Sequence, residues 1–249
     1  TFSYEDSHRY AHFLKDKGGY FCFTSSHSIS EAMRSSDLLK ALKCSSLNLP
    51  DGMPVAFTSS LLSKKKVKRF PGPDFMYDFL ISPLSDNYRI FLLGSSDEVL
   101  NKLKIRFNLD NLKVNICGSY SPPFKDHFDK NDIEYFNRII EASKADYVFV
   151  GLGCPKQEIV CMNLSKISKK VFFPVGAAFD FHSGNHKRAP LIFRQIGLEW
   201  FYRLMQDPKR LWKRYLVHNF RFIYYFVLVS TSFTISHYGE TKENDKSGK

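Results

Sequence analysis

The sequence predicts an α/β protein: a doubly wound, mostly parallel sheet followed by a C-terminal helical membrane-binding appendage. Three observations carry this. Short β-branched and aromatic runs alternate with amphipathic stretches as far as Gly176. The run Val148-Phe149-Val150 is wholly apolar, as a strand covered on both faces is, and it enters a turn containing Gly151 and Gly153. Beyond Pro190 the composition changes, and basic and aromatic residues crowd together.

A chain of 249 residues can bury a real core as one large α/β domain with an appendage. The expected boundaries are 1–190 for the core, 191–238 for the appendage and 239–249 for a polar, disordered tail. A formal charge of +11 calls for an anionic partner: nucleic acid, a phosphate-bearing substrate or an acidic membrane surface. The five cysteines are odd in number and lack metal-binding spacing, so they read as reduced thiols of a cytosolic protein. No signal peptide is visible. The first residue is Thr1 rather than Met, which fits a clipped start.

The elements follow in order. Tyr4 to Lys15 reads as a surface helix, and Tyr20 to Phe23 as the first strand. Ser28, with Glu31 three residues on, forms a capping-box pattern for one helix from Ile29 to about Leu42. Leu47-Asn48-Leu49 is a short strand that delivers Pro50-Asp51-Gly52. A carboxylate there sits where open α/β sheets place their ligands, although an ordinary Asp-Gly turn has the same spelling. Met53 to Leu62 is an apolar helix, and the basic run Lys64 to Arg69 reads as solvated. Phe70 to Asp74 is a turn into a helix from Phe75 to Leu80. Tyr88 to Leu93 is a strand, and Gly94-Ser95-Ser96-Asp97 turns into a helix from Glu98 to Phe107. A strand from Lys113 to Cys117, a Pro-rich loop and a helix from Asn131 to Lys144 come next. The Val148 strand then leads through Gly151 and Gly153 to Pro155, suited to the first helical position, and to Glu158, whose charge favours the helix dipole. Such a turn before a helix is a ready anion site, and equally an ordinary βα connection. Val171 to Gly176 is the sixth strand.

A loop of small and basic residues, Ala177 to Pro190, precedes two helices broken at Asp207-Pro208. Lys187, Arg188, Arg194, Arg203, Lys209, Arg210, Lys213, Arg214 and Arg221 are opposed only by Glu199 and Asp207, and aromatic residues interleave with them. That mixture is typical of segments lying in a membrane interface. The apolar run from Phe222 to Ile235 is shorter than the roughly 20 residues that cross a bilayer, so it reads as lying on the membrane. Helices packed on the protein's own core are the competing reading. Single-stranded nucleic acid also suits basic and aromatic residues, but no nucleic-acid signature is present and no nucleic-acid partner is expected.

Four blocks give the chain a family resemblance. They are Pro50-Asp51-Gly52-Met53-Pro54-Val55; Arg69 to Asp74; Val150 to Glu158; and Phe179-Asp180 through Lys187-Arg188-Ala189-Pro190, Gly197-Leu198-Glu199-Trp200, Tyr202-Arg203-Leu204 and Arg210 to Tyr215. With them the chain resembles the WecG/TagA/CpsF glycosyltransferases, family 26. The resemblance implies a Rossmann-like core with a membrane-touching appendage. It implies transfer, with inversion, of N-acetylmannosamine, its uronic acid or a related sugar from a UDP-sugar donor to an undecaprenyl-diphosphate-linked saccharide. That reaction serves exopolysaccharide, capsule or teichoic-acid synthesis at the cytoplasmic face of the plasma membrane. Carried over by residue, Asp51 matches the proposed general base and Thr24 a threonine near the acceptor. Ser26 stands where the family often has Asn. Arg69 and Gln157 match active-site positions, and Arg203, Arg210 and Arg214 match arginines proposed to hold the lipid diphosphate. Cys154 replaces a frequent Ala and reads as an inert thiol.

Glycosyl transfer needs a base for the acceptor hydroxyl, stabilisation of the leaving diphosphate and exclusion of water. Asp51 can supply the first. The glycine turns at Gly94 and at Gly151 and Gly153, with Arg69 and Lys187 or Arg188, can supply the second. Closure of the C-terminal helices can supply the third. No cofactor is implied: there is no Asp-x-Asp pair and no His/Cys cluster, and His182 and His186 lie in a glycine loop unsuited to zinc. Arginines can replace a metal's charge. A homo-oligomer is left open.

Overall fold

A computed structural model describes residues 2–83, 88–110, 112 and 114–228, with only the backbone of residue 210. Its strands are β1 (Gly19–Thr24), β2 (Leu47–Pro50), β3 (Arg89–Gly94), β4 (Asn115–Tyr120), β5 (Tyr147–Gly151) and β6 (Val171–Pro174). They form one sheet in the order β2-β1-β6-β5-β3-β4, and every pairing is parallel. This is the doubly wound sheet that the alternating runs predict.

Period-two alternation sorts each strand's side chains into two cores. Phe21, Phe23, Ile90, Leu92, Tyr147, Phe149 and Phe173 face α1 (Tyr4–Leu14), α5 (Gly72–Ile81), α6 (Asp97–Leu109) and α9 (Ala178–His182). Cys22, Phe91, Leu93, Val148, Val150 and Phe172 face α3 (Ser36–Lys43), α7 (Lys130–Ala142) and α8 (Lys156–Ser165). The first core is a lattice of rings. Phe79 packs at centroid distances of 5.0 Å from Tyr147, 5.2 Å from Phe173 and 5.7 Å from Phe75. Burying each such ring stabilises the fold by about 1.5–3 kcal/mol, with edge-to-face geometry adding about 0.5–1.5 kcal/mol per pair.

Several local expectations are corrected. The helix predicted from Ile29 to Leu42 is two helices. Ser25 caps α2 (Ser26–Ala32) in a capping box with Ser28, and Ser35 caps α3, so Ser28 is the third helical residue and not the cap. Pro155 lies just before α8 rather than at its first position. The segment after β6 is not all loop, because it contains α9. Beyond Pro190 the predicted two helices are shorter pieces: α10 (Leu191–Gln195), α11 (Glu199–Gln206), α12 (Pro208–Trp212), a π-helical turn (Lys213–Val217) and helical backbone from 218 to 228.

This C-terminal run is tied to the core. Leu211 and Phe222 are buried, and Gly197 lies so close to α4 (Met53–Ser63) that a Cβ there would come 2.8 Å from Met53 Cγ. Among the described residues no helix is long and apolar enough to cross a membrane. The expected tail, 239–249, and the end of the apolar run at Ile235 lie outside the described residues.

Candidate active site

The carboxyl ends of β2, β1, β6 and β5 converge on one cleft, the place where open parallel sheets take their ligands. Each strand contributes the segment that follows it: Ser25 to Ser28 after β1, Asp51 to Pro54 after β2, Gly153 and Cys154 after β5, and Val175 to Ala177 after β6. The outer wall is the C-terminal run, through Glu199, Trp200, Arg203, Arg214, Tyr215 and Asn219.

Asp51 is held by backbone. Its N–H donates to Thr24 O at 3.0 Å, and its Oδ1 accepts from the Gly72 N–H at 3.2 Å. Gly72 keeps this approach close, because a Cβ there would press on Val175 O at 3.1 Å. Burial, and then the nearby Glu199 carboxylate, push the Asp51 carboxyl above its ordinary value. The Gly72 hydrogen bond and the charges of Arg69 and Arg203 pull against that rise without cancelling it.

A chain of ion pairs joins the first half of the sequence to the C-terminal run. Arg69 Nη1 donates to Glu199 Oε2 at 3.3 Å, and Arg188 Nε to Glu199 Oε1 at 3.5 Å. Arg188 Nη1 also donates to Asp74 Oδ1 at 2.5 Å, and Arg194 Nη1 lies 3.6 Å from the same oxygen. Arg203 instead covers the Phe181 ring at 5.1 Å. Among the described residues neither Arg203 nor Arg214 forms an ion pair, and both line the cleft, where the charge of Arg203 acts on Asp51 and that of Arg214 on Glu158.

The cleft brings together Asp51, Arg69, Ser26, Gly153, Gln157, Arg203 and Arg214. It does not bring in the other expected residues. The Thr24 hydroxyl donates to Asn48 Oδ1 at 3.0 Å and lines a separate hollow with Ile29 and Leu42. Gly94 and Gly151 serve packing: a Cβ on Gly94 would meet Gly151 O at 2.7 Å, and one on Gly151 would meet the Phe179 ring at 2.7 Å. Lys187 is exposed beside the cleft, with its carbonyl accepting from Gln206. Arg188 lies one layer behind and acts on Glu199 and Asp74. The Arg210 side chain lies outside the described residues.

Gln157 spends its amide on the protein. Its Oε1 accepts from the Gly153 N–H at 3.2 Å, and its Nε2 donates to Glu158 Oε1 at 2.9 Å and Pro174 O at 3.2 Å. It braces the turn after β5 against the end of β6. Glu158 stands in the first turn of α8 as expected, but it is buried, and burial pushes its carboxyl upward. Burial and the neighbouring Glu158 raise the Cys154 thiol well above its ordinary value, which disfavours the reactive thiolate.

Sequence reasoning gave no role to Glu199, Trp200, Tyr215, Asn219 or His27, all of which line the cleft. Glu199 had a signal: an acid standing nearly alone among nine basic residues is well placed to be the partner of one. His27 and His218 had none, being 191 positions apart.

Comparison with known proteins identifies the family. Residues 4–234 match the model of the glycosyl transferase WecG/TagA/CpsF family. The chain is 32% identical over 212 residues to an N-acetylglucosaminyldiphosphoundecaprenol N-acetyl-beta-D-mannosaminyltransferase of Bacillus spizizenii strain W23, covering 84% of this chain and 80% of that one. The protein of the same description from Bacillus subtilis strain 168 is 32% identical over 207 residues, covering 82% and 78%. One from Staphylococcus aureus strain MRSA252 is 32% identical over 174 residues, covering 70% and 66%. A match over nearly the full length, on a fold whose strand ends gather the motif residues into one cleft, settles the lineage: this chain belongs to the WecG/TagA/CpsF family and is a glycosyltransferase.

Proposed function

We propose that the chain transfers N-acetylmannosamine or a closely related sugar from a UDP-sugar to a hydroxyl of a saccharide carried on undecaprenyl diphosphate, for a cell-surface polysaccharide. The relatives' names support the acceptor class and the sugar. The observation that carries the reading is the placing of one carboxylate with raised proton affinity, Asp51, against three arginines in a cleft walled by the C-terminal run.

In this reading the acceptor oxygen attacks the anomeric carbon as the bond from that carbon to the diphosphate breaks. The hydroxyl proton passes to Asp51, and the diphosphate leaves with the electron pair, inverting the configuration. A base whose pKa rises toward neutrality is better matched to a sugar hydroxyl than an ordinary aspartate. Arg69 is aimed by Glu199, while Arg203 and Arg214 supply fixed positive charge where diphosphates bind. No step needs a metal. The C-terminal run presents its outer face to the cytoplasmic leaflet, where the acceptor's lipid is anchored, and the chain attaches peripherally.

The test is incubation with a panel of UDP-sugars and an undecaprenyl-diphosphate N-acetylglucosamine acceptor, read by UDP release and by the mass shift of the lipid. UDP-N-acetylmannosamine is expected to give a product one sugar heavier. Donor hydrolysis with no lipid product for any sugar would overturn the acceptor assignment.

A further inference from the structure

One polar cluster at the edge of the cleft, which His27 lines, takes no part in the proposed chemistry. His27 and Glu31 stand one turn apart on α2, and His218 reaches them from the segment after the π-helical turn. One ligand atom from each lies within 4.8 Å of the other two. The two imidazoles meet nearly edge to face at 4.5 Å between centroids. His218 Nδ1 lies 3.4 Å from Glu31 Oε1 and 3.1 Å from Ser30 Oγ. His27 Nδ1 is completely buried and has no hydrogen-bond partner, a state that folded proteins avoid unless something fills the gap.

We propose that His27, Glu31 and His218 bind a divalent transition-metal ion, zinc by preference, that clasps the C-terminal run to the core. Two imidazoles and one carboxylate form a three-ligand set suited to tetrahedral zinc with one open position. Separations below 4.8 Å need only small rotamer changes to reach zinc–nitrogen distances of about 2.0–2.1 Å. The clasp would reinforce a junction already made one residue away on each side, where Ser26 Oγ donates to Asn219 Oδ1 at 2.5 Å. Glu31 supplies the one anionic ligand of the set. The ion acts on the fit of the wall, and glycosyl transfer does not pass through it.

The experiment uses the full chain stripped with a chelator, titrated calorimetrically with zinc chloride and, separately, with cobalt(II) read by its visible bands. One equivalent of zinc is expected, four-coordinate cobalt bands, and a zinc-dependent rise in Tm of several degrees. Glu31→Gln and His218→Gln each weaken zinc binding about tenfold or more and remove the rise in Tm. His186→Gln, an exposed histidine outside the cluster, binds as the parent does. Melting in chelator shows that both cluster variants are folded before zinc is added. Absence of saturable binding by the parent overturns the proposal, and so does binding that both cluster variants retain at parental affinity.

Discussion

At the residue scale the behaviour of the site turns on Asp51 and the charges around it. Its folded-state pKa is raised, so the folded protein holds the Asp51 proton at pH values where the unfolded chain has lost it. Stability from this group is therefore present at low pH and falls as pH rises from the ordinary carboxylate range through the raised value. Asp51→Asn removes that penalty. It should raise Tm at neutral pH while lowering kcat by about 10²–10⁴-fold with donor binding retained, read by thermal melts, UDP release and donor titration. A second change probes the same carboxyl from outside. Glu199 raises the Asp51 pKa, so Glu199→Gln lowers it, and the acid limb of the kcat/KM profile moves to lower pH. An unmoved limb would show that another group sets it. The strand end followed by Asp-Gly left Asp51 open between a ligand position and an ordinary turn, and the family resemblance singled it out. Glu199 and Gln157 carry their roles through partners 130 and 17 positions away, and spacing alone does not encode such pairs. Thr24 lines the separate hollow because its hydroxyl is held by Asn48 of the neighbouring strand, a partner 24 positions away.

At the element scale the cleft is two pieces held together by buried charge. Arg188 joins Asp74, at the start of α5, to Glu199, at the start of α11. Replacing it with Met removes the cation they share and leaves Asp74 with Arg194 at 3.6 Å and Glu199 with Arg69 at 3.3 Å. Breaking a buried pair costs about 3–5 kcal/mol, and the 19% exposure of the Arg188 side chain makes this the upper bound. Arg188→Met should lower the urea midpoint, and it should lower activity further than the lost stability explains, because Arg69 loses the Glu199 position that aims it. Deleting residues 191–249 goes further, removing Glu199, Arg203 and Arg214 from the wall. Transfer to the lipid acceptor should vanish, and retained transfer would sever the C-terminal run from catalysis. The sheet elements were legible because each buried strand is a short apolar run between turn residues. The break between α2 and α3 was not, since Ser25 and Ser35 compete with Ser28 as caps and only packing selects between them. Beyond Pro190, alternating basic and aromatic residues gave helix without boundaries, and those are set by what each short piece packs against.

At the scale of the whole molecule, the C-terminal run shows two faces. Glu199, Trp200 and Arg203 of α11 turn into the cleft, while Phe201 and Met205 are exposed. Further on, Arg214, Tyr215 and Asn219 face the cleft, and Leu216, Phe220, Ile223, Tyr224 and Val227 face outward at helical spacing. Met53, Phe57 and Leu61 of α4 are exposed as well, and Met53 adjoins Gly197 at the base of the run. So many exposed apolar residues on neighbouring elements of a chain with charge +11 are what the proposed attachment to an anionic bilayer would use. Two contributions with different salt dependence should then add. Each basic residue near the surface gives about 1 kcal/mol that salt screens, whereas buried rings give a contribution that salt leaves intact. Flotation with vesicles containing anionic lipid should show binding that falls as salt rises but levels off above zero. Phe201→Ser with Phe220→Ser should abolish that residual while leaving the low-salt component and the melting temperature nearly unchanged, because both rings are exposed. Binding that salt abolishes completely in the parent, or a residual that survives in the double variant, would place the docking face elsewhere on the molecule.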